Sequence, residues 1–129
     1  MATKTIKFEP VVAGDEVVID NKANINLETL WTNSSPTSSF SAQDIPIDLS
    51  KYRFVYIQFR GVANVDADIN EISAIDGKDH IAFYLSTSGG LRRIRYYNPK
   101  TTGVHFNDAS ENNTTTNTCI IPQFIYGIR

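Results

Sequence analysis

Arg53-Phe54-Val55-Tyr56-Ile57-Gln58-Phe59-Arg60 alternates with a period of two. On an extended chain successive side chains point to opposite faces. Val55, Ile57 and Phe59 therefore share one face, while Phe54 and Tyr56 begin the other ahead of Gln58 and Arg60. The first face is wholly apolar and the second partly so, which places this strand in the middle of a sheet.

The same texture repeats outward from it. Aromatic and β-branched residues come in short runs broken by Gly, Asn, Asp, Ser and Thr, and no stretch sustains a helical period. Further strands are expected at 5–8, 16–20, 26–32, 45–49, 79–86, 91–98, 103–107 and 118–128. Spacings of about 8 to 12 residues between them point to an all-β fold, an antiparallel β-sandwich or jelly-roll-like single domain rather than one open sheet. Residues 81–97 read as a hairpin, because Ile81, Phe83 and Leu85 line one face and Ser88-Gly89-Gly90 offers the positive φ of a tight connection. The tract 107–117 has almost no apolar content and is expected to be a long exposed loop. Residues 63–78 are read as a second loop, with a helical turn or a bulged strand at 69–75. Pro122 has no N–H to give a central ladder, so it is expected at an edge or a bend.

Composition bounds the class. At 129 residues the chain accommodates one domain with a real core, so 1–129 is taken as one unit. Its hydrophobic fraction of 41% and charged fraction of 20% are those of a folded globular chain, and no apolar run approaches the length of a membrane span. A net charge of -2 supplies no basic field for a phosphate backbone, which argues against nucleic acid as a partner. The opening Met1-Ala2-Thr3-Lys4-Thr5 lacks the apolar core of a secretory signal, so either synthesis in a cytoplasm or prior removal of a leading stretch is expected. Cys119 has no second cysteine to pair with, and within Thr-Cys-Ile-Ile it reads as a small buried hydrophobe.

Few residues offer chemistry. His80 and His105 sit at strand positions outside any metal-ligand spacing, and no nucleophile elbow or phosphate-cradling glycine loop is present. No catalytic residue, cofactor or enzyme activity is assigned. Asp66-Ala67-Asp68-Ile69-Asn70 begins like a calcium loop, but Glu71 stands where an EF-hand needs Gly and Gly77 where it needs the bidentate Glu. A weak non-EF-hand metal candidate remains in Asp66, Asp68 and Asp76, against the plainer reading of a solvated acidic loop.

Leu91-Arg92-Arg93-Ile94-Arg95-Tyr96-Tyr97 interleaves cations with aromatics, Arg93, Arg95 and Tyr97 on one face and Arg92, Ile94 and Tyr96 on the other. Guanidinium forks and aromatic faces suit a saccharide or a phosphate-bearing polymer, but they equally suit a subunit interface or plain coverage of sheet surface. Arg92, Arg93, Arg95, Tyr96 and Tyr97 are the ligand candidates, joined by Asn112 and Asn113 on the polar tract. Trp31, Phe40, Phe124 and Tyr126 are assigned to core or subunit packing.

Two segments are more distinctive than the rest. Leu30-Trp31-Thr32-Asn33-Ser34-Ser35-Pro36-Thr37-Ser38-Ser39-Phe40-Ser41-Ala42 is followed by Ile47-Asp48-Leu49-Ser50-Lys51-Tyr52. The chain then closes on Ile121-Pro122-Gln123-Phe124-Ile125-Tyr126-Gly127-Ile128-Arg129. This pattern resembles the C-terminal receptor-binding or head domains of bacteriophage tail and tail-fibre proteins, mostly from phages and prophages of Gram-positive bacteria. The resemblance covers 30–42, 47–52 and 121–129 and leaves the middle unaligned.

It implies a non-enzymatic virion protein that binds a host-surface glycan or cell-wall polymer, contacts other tail proteins and assembles as a homo-oligomer, with a trimer favoured. It also implies that the arm 32–43 runs over the domain surface, and of the two origins expected for the opening residues, synthesis in a cytoplasm fits a phage component. An assembly-only module and a bacterial lectin are the alternatives. Residues 1–23 precede the resemblance and are read as leading strands of the same sandwich in preference to a neck.

Overall fold

A computed structural model describes residues 5–8, 17–20, 27–62, 65–86 and 89–129. The strands are β1 (Thr5–Phe8), β2 (Val17–Asp20), β3 (Leu27–Thr32), β4 (Gln43–Pro46), β5 (Phe54–Val62) and β6 (Val65–Ala74), followed by β7 (His80–Leu85), β8 (Arg92–Lys100), β9 (Gly103–Glu111), β10 (Thr114–Thr115) and β11 (Cys119–Ile128). No helix occurs among the described residues. Two antiparallel sheets form a β-sandwich. One has the order β3-β11-β5-β6; in the other β7, β8 and β9 are neighbours, and β4 and β10 share the far edge of β9.

β5 lies between β11 and β6, as its two-sided pattern requires. Val55, Ile57 and Phe59 are fully buried on its inner face. Opposite them stand Tyr97 of β8 and Val104, Phe106 and Ala109 of β9. Phe59 meets Phe106 edge-on at 6.2 Å and Tyr97 at 5.6 Å, and Phe40 meets Phe106 at 5.5 Å. Such ring pairs add ~0.5–1.5 kcal/mol each to what area burial alone contributes. The sheets are also tied by a hydrogen bond between the Ser73 and Tyr97 hydroxyls. Burial pushes the Tyr97 phenol up to about 12.

Several expectations need correction. The stretch read as a loop at 63–78 is mostly β6, so that of the alternatives for 69–75 the strand holds over 69–74 and the helical turn does not; its polar residues take part in the ladder that β5 offers. Likewise the polar tract 107–117 is the second half of β9, the Asn112-Asn113 turn and β10. Asn112 and Asn113 have φ of 48° and 70°, the left-handed pair that a two-residue hairpin turn demands and that asparagine tolerates. Pro122 lies on an inner strand, at an irregularity in its ladder as the bend alternative expected. It is tolerated because the β5 ladder shifts register between Pro122 and Phe124 and the β3 ladder stops at Phe124. β1 and β2 pair with each other as a separate two-stranded sheet; the rest of the leading stretch 1–23, Val11 and Val12 among it, lies outside the described residues.

The two ends of the domain lock together at Gly127. A Cβ there would stand 2.5 Å from Tyr52 Cδ1 and 2.9 Å from Leu30 Cδ1, so only glycine lets the Tyr52 ring lie over β11. The Tyr52 hydroxyl donates to Glu28, and Arg129 Nε donates to the same carboxylate at 2.8 Å. These two bonds, the tyrosine's first, hold the Glu28 carboxyl below its ordinary value.

Candidate functional site

The alternation predicted for β8 is present, but its inner face is not a ligand face. Arg95 and Tyr97 are buried in the sandwich core and are corrected from ligand candidates to core residues. Arg95 Nε donates to Ile120 O at 2.7 Å, Nη1 to Asn107 O at 2.6 Å, and Nη2 to Phe40 O at 2.9 Å and, more weakly, to Cys119 O at 3.4 Å. Its guanidinium also lies 5.3 Å from the Phe40 ring centroid. Four carbonyls from three chain segments thus receive one planar cation, a match of fork to acceptors that lysine could not make. Desolvation pushes the group down to about 10, so it stays charged at neutral pH.

The other arginines are engaged as well. Arg93 faces Glu111 across the ladder, with Nη2 2.7 Å from the carboxylate. The Arg92 N–H donates to Asn112 Oδ1 at 2.8 Å, and its guanidinium donates to Asn113 Oδ1. Asn112 and Asn113 therefore clip the hairpin tip to β8. Of the seven ligand candidates only Tyr96 presents a largely uncommitted ring to solvent.

Tyr96 belongs to an apolar stripe on the outer face of its sheet, with Ile81, Phe83 and Leu85, the last 58% exposed. The outer face of the other sheet carries a second patch. Phe54 and Ile72 are exposed there, the latter by 62%. Beside them Tyr126 packs against Tyr56 at 5.5 Å and Phe124 at 5.8 Å. Both faces of the sandwich therefore expose large hydrophobic side chains.

The acidic candidates do not converge. β6 from Asp68 to Ala74 is six strand steps, about 20 Å, and Asp76 lies beyond its end. Asp76 instead accepts from Lys78 N and pairs with His80 Nε2, each at 3.0 Å. The side chains of Asp66 and Asp68 lie outside the described residues. Among the described residues no group of three or more His, Cys, Asp or Glu could hold a metal ion. His105 pairs with Asp44 at 2.7 Å, and the Cys119 thiol is buried against Thr116 O, its pKa raised by desolvation.

A feature the sequence did not single out is a cleft of about 300 Å³ beside the arm that joins β3 to β4. Trp31, Thr32, Ser34, Ser35, Ser39 and Gln43 line most of it. The arm is fixed from several sides: Asn33 Nδ2 donates to Pro122 O at 2.8 Å, Gln123 Nε2 to Pro36 O at 3.0 Å and Phe40 N to Asn117 O at 2.9 Å. Asn33 Oδ1 also accepts from Ser35 N at 2.8 Å, closing an Asx turn. Phe40 is buried, and the half-buried Trp31 packs edge-on to it at 6.1 Å. The sequence marked 30–42 as distinctive and its arm as a surface element, but for a cleft it offered no more than a run of hydroxyl residues next to the single Trp.

Compared with known proteins, the chain matches no family model, no curated protein and no solved structure.

Proposed function

We propose that this chain is the head domain of a phage tail or tail fibre, a non-enzymatic virion module that holds a host-surface glycan or cell-wall polymer. The observation that carries this reading is the mutual anchoring of the three segments on which the resemblance rests. Asn33 N donates to Gln123 O at 2.8 Å, and Arg53 N, next to Tyr52, to Ile128 O at 2.8 Å. Segments about ninety residues apart in sequence thus act as one unit, with the arm as its surface element. The two apolar outer faces suit contact with further copies or with neighbouring tail proteins. Three copies held in register would convert weak single-site binding into firm attachment.

An assembly-only module is the second reading, and the same outer faces favour it. Light scattering on the sample used for a pull-down with Gram-positive cell walls separates them. A trimer, three times 14.4 kDa, that sediments with walls supports host recognition. A trimer that stays in the supernatant supports the assembly module, and a monomer removes the fibre-head reading in favour of a lectin.

A further inference from the structure

We propose that the cleft beside the arm is the saccharide subsite of this domain and that it takes an uncharged, hydroxyl-rich sugar residue; this rests on the host-recognition reading above. Its size falls at the small end of ligand pockets, and its lining is chemically one-sided. No ionisable side chain lines it. A phosphate- or carboxylate-bearing ligand would need a guanidinium or ammonium partner, and the arginines of β8 are committed elsewhere. An uncharged sugar needs hydroxyl and amide partners for its own hydroxyls and an apolar surface for its C–H face.

The cleft supplies both. Thr32, Ser34, Ser35 and Ser39 contribute hydroxyls, and Gln43 an amide. Trp31 is held half-buried against Phe40, and its indole N–H meets no acceptor among the described residues. That is a rigid amphipathic platform, apolar on its ring faces and a donor at its rim. The Asx turn at Asn33 and the bonds from Gln123 and to Asn117 set the walls before any ligand arrives, so little ordering remains to be done on binding.

Because Trp31 is the only tryptophan, its emission reports directly on the cleft. The test titrates the intact chain with host wall polysaccharide, separated by ion exchange into an uncharged and an anionic fraction. A saturable change in Trp31 emission is expected from the uncharged fraction, with a dissociation constant on the order of millimolar per sugar site. Ser39→Tyr and, independently, Ser34→Tyr place a ring in the mouth of the cleft from exposed positions. Each is expected to weaken binding by about tenfold or more, with an unchanged thermal transition.

Wall capture that persists in both tyrosine variants overturns the cleft while leaving host recognition standing. Binding of the anionic fraction alone overturns it in the same way. If the unaltered chain captures no walls at all, host recognition fails and the cleft assignment fails with it.

Discussion

Replacing Arg95 by methionine isolates the least ordinary element of the core. The side chain is fully buried and donates to carbonyls of Phe40, Asn107 and Ile120 at 2.6–2.9 Å and of Cys119 at 3.4 Å. Charge-assisted bonds of this kind contribute about 1.5–3 kcal/mol each, against a desolvation cost of several kcal/mol for the buried cation. Methionine removes the desolvation cost but cannot satisfy backbone acceptors that remain in place. Each neutral carbonyl left without that donor costs about 1–3 kcal/mol, and with the cation's desolvation cost relieved the net loss is on the order of 4 kcal/mol, a large part of the ~5–15 kcal/mol that holds a domain together.

With a urea slope of about 2 kcal/mol/M, the unfolding midpoint is expected to fall by roughly 2 M. Emission of Trp31 follows the transition. Arg95→Lys keeps the charge without the planar fork and is expected to lie between the two. Because folding lowers this pKa, the unfolded chain binds the extra proton only above about pH 10, so Arg95 leaves stability flat through the neutral range. A methionine variant within about 1 kcal/mol of the parent would refute the reasoning, since the carbonyls would then need no internal donor.

Other consequences are equally direct. Gly127→Ala drives a methyl group to 2.5 Å from the Tyr52 ring and is expected to cost about 1–3 kcal/mol, read as a lower thermal transition. The carboxyls of Glu28, Asp48, Asp76 and Asp108 are all held below their ordinary values by hydrogen bonds, so their contribution is complete above about pH 4–5 and is lost as pH falls through the lower folded values. Urea midpoints should therefore decline in acid, and Asp108→Asn, which removes the carboxylate that accepts from Ala42 N–H, should flatten that decline. Phe83→Lys with Leu85→Lys places two charges in the exposed stripe of β7; if that face joins copies, the mass by light scattering drops while the far-ultraviolet spectrum is unchanged.

Much of the sandwich was legible in advance because half-buried strands print their faces on the sequence. Val55-Tyr56-Ile57-Gln58-Phe59 needs nothing beyond period two. β6 and the second half of β9 escaped that reading because their ladders are set by partners. Asn70 and Glu71 extend because β5 runs beside them, and Ser110 and Glu111 because Ile94 and Arg93 do. In β8 the faces were legible but the side that points inward was not, since arginine is ordinarily an outside residue.

What puts Arg95 inside is tertiary: carbonyls of β9, β11 and the arm converge on its guanidinium at one place between the sheets. Nothing local in 91–97 encodes that convergence. The cleft was hidden for a related reason, because a run of serines has no period and becomes a wall only when Asn33 and Gln123 fold it beside Trp31.

The two hidden features are mechanically connected. Phe40 O, which receives Arg95 Nη2, belongs to the residue whose ring supports Trp31 at the cleft. The same residue's N–H is taken by Asn117 O, so Phe40 is gripped on both sides of its backbone, from the core and from the turn before β11. Loss of the guanidinium therefore releases one of the grips that hold the indole against its support. A methionine at position 95 should broaden and red-shift Trp31 emission even in buffer without urea, and it should weaken sugar binding more than its distance from the cleft mouth would suggest. The arginine read from sequence as a ligand contact would then act on recognition from inside, as a positioning residue, through the backbone of Phe40.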